Sequence, residues 1–388
     1  MKIIYLGATA SSDSDLPLIK ELTSQGVDVY AYFYMSQLNK SSGLFNITNL
    51  KKVDDILPIS SYAELSYLNK FVNLEKTFII NNFHAKRRNW QFWLLRLKTL
   101  HHMKKLKADV FHYIWPLSGC DKIYYWLNLP KILTVHDPIP HSGQFTKIKE
   151  KERILAFSKA NRLVFLSDEL VDQFSNVYGI SRNQIFINKM GAFDYLNEMP
   201  IKNDLSQKYG RYILYFGQIQ PHKGIEYLID AMKVVHNKLP WLNLVIAGKG
   251  VPYFDVTEIE KTDYITFINR YINTNEMTDL LRGCLYMVCP YKDATQSGVV
   301  ISAFSMYVPL IVTSVGNMHK QVENGIEGIV VPPCNSEKLS DAIIELANSP
   351  EKIETFKNNI KTKWYKNMGW SSIVKKYISL YEDVISKN

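Results

Sequence analysis

Cysteine is scarce: Cys120, Cys284, Cys289 and Cys334 are the only four in 388 residues, with no CxxC pair and no histidine at metal-ligand spacing. That excludes a disulfide framework and a zinc finger, and it leaves four thiols expected to be buried in a reducing compartment. There is no low-complexity tract and no fixed-period repeat, so solenoids and long disordered arms are excluded too. After Met1-Lys2 the apolar run IIYLG stops at Gly7, too short for the core of a signal peptide, and the expected location is the cytoplasm. Residues 294–318 carry no charge, but Gly298, Pro309, Gly316 and six Ser or Thr residues interrupt them. They read as a buried helix followed by the buried strand VPLIVT, not as a membrane span.

Acidic residues are missing from one stretch. Between Lys76 and Ala108 lie Lys76, Lys86, Arg87, Arg88, Arg96, Lys98, Lys104, Lys105 and Lys107 and no acid, and these nine charges equal the net charge of +9. Trp90, Phe92, Trp93, Leu94, Leu97 and Leu100 are interleaved with them. Two readings stand: a basic helix resting on an anionic membrane surface, peripheral to the inner face, or a core-facing helix with a solvated basic face. Nucleic acid is not expected as a partner, because the other tyrosines and tryptophans do not cluster around basic residues.

What is present is an alternation. KIIYLG, VDVYAYFYM, TFIINNF, ADVFHYIW, KILTVHD and RLVFLS are strand-like runs separated by helix-like segments. A second series comprises RYILYFG, LNLVIAGKG, YITFINR, LYMVCP, VPLIVTSVG and GIVVP. The pattern predicts an α/β protein of two Rossmann-like domains with parallel sheets, a length of 388 residues being suited to two. The expected division is 1–195, 196–360 and a final segment 361–388. That segment carries Trp364, Trp370, Ile373, Tyr377 and Tyr381 at near-helical spacing, and it is expected to pack back on the N-terminal domain.

Two glycine turns follow strands in the second series. In FGQIQPHKG the loop runs from Gly217 to Gly224, Lys223 stands just before a helix, and Ile225, Leu228, Ile229 and Met232 form that helix's core stripe. The spacing is neither a Walker A motif nor GxGxxG. A lysine at a helix N-terminus is electrostatically unfavourable without an anion, so Lys223 points to a bound diphosphate. In DATQSGVV, Thr295, Gln296, Ser297 and Gly298 precede an apolar helix, and the N–H groups of Ser297 to Val299 can face a phosphate; the plain alternative is an ordinary cap made by Ser297. The strand KILTV delivers His136, Asp137 and His141 to a loop fixed by two prolines. There a histidine can meet a phosphate or hydroxyl, or simply be satisfied by Asp137. His84 sits at a similar strand end.

The segments FGQIQPHKG, IAGKG, FINRYINTNEM, PYKDATQSGVVISAF, VPLIVTSVGN and ENGIEGIVVP, in this order, resemble the retaining glycosyltransferases of family 4, whose architecture is GT-B. The likeness is strongest from Tyr212 to Pro333. It implies transfer of a sugar from a nucleotide diphosphate sugar to an acceptor hydroxyl with retained configuration, the donor being a substrate, with no cofactor and no metal. Lys223 matches the family lysine that neutralises the diphosphate, and His136 the histidine facing the sugar. Gly217, Gln218, Arg270, Thr295, Gln296, Ser297, Gly298 and Val299 fall on the donor side, and Gly7, Asp137 and His141 on the acceptor or sugar side.

The family's paired glutamates are replaced here by Ala294 and Ser302, and its usual arginine by Gln218. Asn317 to Lys320 replace a Gly-Leu-Pro-Glu-like run, Lys320 being a candidate replacement cation. ATQSGV together with HDPxPHSG is similar to enzymes of bacterial surface-polysaccharide synthesis, which implies a saccharide or lipid-linked saccharide acceptor. The alternatives are a catalytically degenerate nucleotide-sugar binding or scaffold subunit, and an adaptor built on the basic segment.

Overall fold

Apolar runs ended by Gly, Asp or Pro alternate with helices throughout, and the chain folds into two α/β units, residues 1–191 with 368–388 and residues 192–367. The computed structural model describes residues 1–84, 89–136, 138–139, 146–203, 205–294 and 297–387.

The first unit opens with β1 (Lys2–Ala8), α1 (Ser12–Ser24) and β2 (Asp28–Ser36), a right-sized βαβ step. The short antiparallel pair β3 (Ser41–Ser42) and β4 (Phe45–Asn46) follows, then β5 (Asp55–Pro58) and β6 (Thr77–Asn82). The remaining elements are α2 (Trp90–Lys105), β7 (Val110–Tyr113), β8 (Lys131–Val135), α3 (Lys147–Lys159), β9 (Arg162–Phe165), α4 (Val171–Tyr178) and β10 (Ile185–Ile187). The eight-stranded sheet has the order β10-β9-β8-β7-β1-β2-β6-β5, and only β5 runs antiparallel to its neighbour. Ile3, Ile4, Tyr5 and Leu6 of central β1 are all buried, as a strand covered on both faces requires.

The second unit contains α5 (Ser206–Tyr209), β11 (Arg211–Phe216), α6 (Ile225–Lys238), β12 (Leu242–Gly248), α7 (Val256–Glu260), β13 (Ile265–Asn269) and α8 (Thr274–Gly283). It continues with β14 (Met287–Cys289), α9 (Gly298–Ser305), β15 (Leu310–Thr313), α10 (Met318–Gln321) and β16 (Gly328–Val331). It closes with α11 (Ser336–Ala347) and α12 (Pro350–Asn359), and α13 (Tyr365–Met368) spans the second unit boundary. The sheet β13-β12-β11-β14-β15-β16 is wholly parallel. Its order reverses between β11 and β14, the switch point at which open α/β sheets bind ligands. Ile225, Leu228, Ile229 and Met232 of α6 are buried as their spacing predicts.

The last helix, α14 (Trp370–Ser386), belongs to the first unit. The Trp370 ring lies where a Cβ on Gly191 would come within 2.5 Å. The Tyr381 hydroxyl meets Nδ1 of His112 at 2.8 Å, and Nε2 of His112 meets Thr134 Oγ1 at 2.8 Å. Full burial drives the His112 pKa down to about 3, so the imidazole is neutral and bridges two hydroxyls. The unit boundaries fall at 191/192 and 367/368 rather than at 195/196 and 360/361.

The basic stretch from Lys76 to Ala108 is not one helix. Residues 77–82 are a strand paired with β2 and β5, and the helix begins only at Trp90, capped by the Asn89 side chain. Leu95, Arg96, Thr99, Leu100 and Met103 form its buried face, whereas Trp90, Trp93, Leu94 and Leu97 are 70, 50, 51 and 46% exposed. Among its cations Lys76 pairs with Asp28, Lys98 with Asp55 and Arg96 with Asp121. Lys104, Lys105 and Lys107 are exposed, and Lys86, Arg87 and Arg88 lie outside the described residues. Among the described residues no helix is long and apolar enough to cross a membrane. Cys334 is exposed, unlike the other three cysteines.

Candidate functional site

Both glycine turns leave the sheet at the switch point. Gly217, just past β11, has φ 147°, and a Cβ on Gly248 at the end of β12 would lie 1.7 Å from its carbonyl oxygen. The loop then runs beside β12, with Ile219 N–H donating to Lys249 O at 3.1 Å. Gly224 has φ 64°, and a Cβ there would sit 2.1 Å from the Pro290 carbonyl oxygen. Only glycine fits on both counts. This close approach, together with Lys292 N–H donating to His222 O at 2.8 Å, joins the first turn to the second.

Lys223 sits at that junction. Its ammonium lies 3.8 Å from the centre of the Tyr291 ring, and among the described residues it makes no ion pair. Burial lowers the Lys223 pKa, and Cys289 of β14 acts in the opposite direction. Cys289 supplies no counter-anion, since burial pushes its thiol up to about 12. A half-buried cation with no acidic partner among the described residues is suited to meeting an anion.

In the second turn the ordinary-cap reading fails, because the Ser297 side chain makes no capping bond to α9. Its hydroxyl instead lies 3.4 Å from the Tyr291 hydroxyl. The Ser297 N–H is not available to a phosphate as expected, since it donates to Gln321 Oε1 at 3.0 Å. The expectation narrows to Gly298 and Val299, the first residues of α9. A Cβ on Gly298 would meet nothing within 4 Å, and Val299 Cγ2 lies 3.8 Å from the place of a Cβ on Gly217. The two turns therefore approach each other, with open space beside Gly298. Thr295 and Gln296 lie outside the described residues.

Other donor-side candidates are not brought there. Gln218 is exposed, its Oε1 accepting from Gln220 Nε2 at 3.0 Å. Arg270 follows β13, two strands from β11, and is held by both oxygens of Glu276 at 2.7 and 2.5 Å. It lines a separate pocket with Lys202, Lys208 and Asn273 that contains no residue of either glycine turn. Lys320 is exposed on α10, and Ser302 turns its hydroxyl back to Gly298 O at 3.1 Å.

In the first unit His136 follows β8, its ring stacked on Trp115 at 4.9 Å. It borders a small pocket with Tyr5, Asp15, Thr134, Lys189 and Trp370. Gly7 is explained by packing, because a Cβ there would lie 2.5 Å from the Phe33 ring and 2.9 Å from Asp15 Oδ2. Asp15 escaped the sequence reading. It accepts from the Tyr5 hydroxyl at 2.8 Å, and burial holds its carboxyl well above the usual carboxylate range. The signal was available: an acid on the same helical stripe as Leu18, Ile19 and Leu22, which are buried. His84 pairs with Asp54 at 3.6 Å. Asp137 and His141 lie outside the described residues.

The architecture is the GT-B one. The Anabaena protein HepE in complex with UDP-glucose superimposes with a TM-score of 0.66 at 14% identity, covering 99% of this chain and 100% of that one. Residues 210–349, which contain both glycine turns, match the model of a family described as glycosyl transferases group 1. An uncharacterized glycosyltransferase of Methanocaldococcus jannaschii is 24% identical over 352 residues, 87% of this chain and 92% of its own length. The alpha-D-kanosaminyltransferase of Streptomyces kanamyceticus is 25% identical over 295 residues, 69% of this chain and 75% of its own. Together these likenesses show the GT-B fold and a similarity to glycosyltransferases that is strongest over the second unit.

Proposed function

We propose that the β11 and β14 turns bind the diphosphate of a nucleotide sugar, and that the protein transfers the sugar to an acceptor hydroxyl with retention and without a metal. The observation that carries this is Lys223, a half-buried ammonium without an acidic partner among the described residues, set where two helix-opening glycine turns converge. As the glycosidic bond breaks, negative charge grows on the departing diphosphate. Lys223 and the N–H groups at the start of α9 stabilise it there, in a site where charge interactions are stronger than in water. His136, by the resemblance already described, acts toward the sugar. That HepE is held with UDP-glucose supports the donor class.

A panel of nucleoside diphosphates and their sugars in a melting assay tests the reading. A ligand at about 100 times its Kd adds roughly 2.7 kcal/mol, so at least one is expected to raise Tm by several degrees. A flat panel that includes UDP, GDP and ADP sugars sinks the proposal.

The acceptor we infer is a lipid-linked saccharide met at an anionic membrane surface. What supports it is the exposed stripe Trp90, Trp93, Leu94 and Leu97 at i, i+3, i+4 and i+7, with Lys104 and Lys105 exposed on the same helix. The triple change Trp90→Ser, Trp93→Ser, Leu97→Ser is expected to cut binding to phosphatidylglycerol-containing vesicles by about tenfold or more, with the fold intact because none of the three is buried. Equal sedimentation of variant and wild type with such vesicles removes the membrane role.

A further inference from the structure

Tyr291 belongs to neither glycine turn as the sequence delimits them, yet it touches both. It follows β14, is fully buried, and places its ring under the Lys223 ammonium at 3.8 Å. Its hydroxyl lies 3.4 Å from Ser297 Oγ, and its carbonyl accepts from Thr313 Oγ1 at 2.6 Å, which fixes the backbone on β15. We propose that Tyr291 is a positioning residue for the diphosphate site, its ring holding the Lys223 ammonium charged and in place. This rests on the donor-site reading above.

The physical case is one of substitution for water. Lys223 is partly withdrawn from solvent and has no carboxylate to hold it among the described residues, so the negative face of an aromatic ring is what remains to favour its charged form. A carboxylate in that place would hold the lysine more strongly but would repel the incoming phosphates. A ring attracts the cation and leaves its charge available. Among the described residues the titratable groups around the ammonium are the Tyr291 hydroxyl and the Cys289 thiol, with Tyr215 next to both. Burial keeps all three protonated by raising them. Lys292, beyond Tyr291, is committed to Glu226 at 2.7 Å.

Three variants separate the parts: Tyr291→Phe, Tyr291→Leu, and pentafluorophenylalanine at 291, which keeps the shape of Phe but removes the negative ring face. Lys223 is titrated in each by competitive amine labelling read by mass spectrometry, and UDP, GDP and inorganic pyrophosphate are titrated calorimetrically. The leucine and pentafluorophenylalanine forms are expected to lower the midpoint of Lys223 labelling by about one pH unit and to weaken binding of whichever probe binds by about tenfold. Affinity is then lost at lower pH than in the wild type, since the ammonium deprotonates earlier. The phenylalanine form is expected to keep the wild-type midpoint and bind within about threefold. If the leucine form does not fold, the comparison of phenylalanine with its fluorinated analogue decides the question without a cavity.

An unchanged Lys223 midpoint in the leucine and fluorinated forms overturns the proposal, as does unchanged affinity. A wild type that binds none of the three probes overturns the donor-site reading instead, and the labelling shift alone then decides whether Tyr291 holds the lysine.

Discussion

Replacing Lys223 with alanine is expected to lower sugar transfer by about 100-fold or more, the effect of removing one preorganised charge-stabilising group from an active site. The ligand-free protein is expected to melt no lower than the wild type. Both halves follow from the same geometry. The ammonium is withdrawn from water over the Tyr291 ring with no ion pair among the described residues, so it adds little to the fold and is free to act on a ligand. Nucleoside diphosphate release from the sugar nucleotide that most raises Tm is the readout. Turnover by the alanine form within threefold of wild type would rule out the assigned role.

Gly224→Ala is expected to cost on the order of 3 kcal/mol of stability and to abolish nucleotide binding. Two independent penalties act there: the backbone has φ 64°, and the new methyl would lie 2.1 Å from the Pro290 carbonyl oxygen. Because Gly224 is where the first turn crosses the second, relief of the clash must move Lys223, Tyr291, or both. Gly298→Ala is the matching control. Nothing lies within 4 Å of its would-be Cβ, and alanine suits a helical position, so this variant should keep its melting temperature and lose affinity only if a ligand approaches that backbone. Chemical denaturation and calorimetric titration of the two variants distinguish the outcomes. Equal stability of Gly224→Ala and wild type would refute the close approach.

Most strands were legible because a parallel sheet covered on both faces demands unbroken apolar runs, as in Ile3 to Leu6 or Leu244 to Ala247, all buried. Four strands went unnoticed: the two-residue pair Ser41–Ser42 and Phe45–Asn46, and two edges of the larger sheet, Asp55–Pro58, ended by a proline, and the three residues Ile185–Ile187. An edge strand packs on one neighbour and needs no such run. The fold class could be read directly, while the site was legible only in part. Lys223 stood out as a cation where an acid is expected, a purely local signal. Arg270 misled for the opposite reason: its pairing with Glu276 depends on how the intervening residues turn. Gln321 reaches Ser297 across 24 residues, and Tyr291 looks in sequence like one more apolar residue after a strand. No periodicity marks such contacts.

One consequence of α14 concerns the order in which the chain is made. The first unit is discontinuous, residues 1–191 completed by 368–388, whereas the second is a single uninterrupted stretch. During synthesis residues 192–367 therefore have all their own partners before the first unit does. Until α14 emerges, His112 lacks Tyr381 and Gly191 lacks the Trp370 ring. The half of the protein begun first is the half finished last, and for that interval its sheet presents an uncovered apolar strip on which folding factors or misfolding can act.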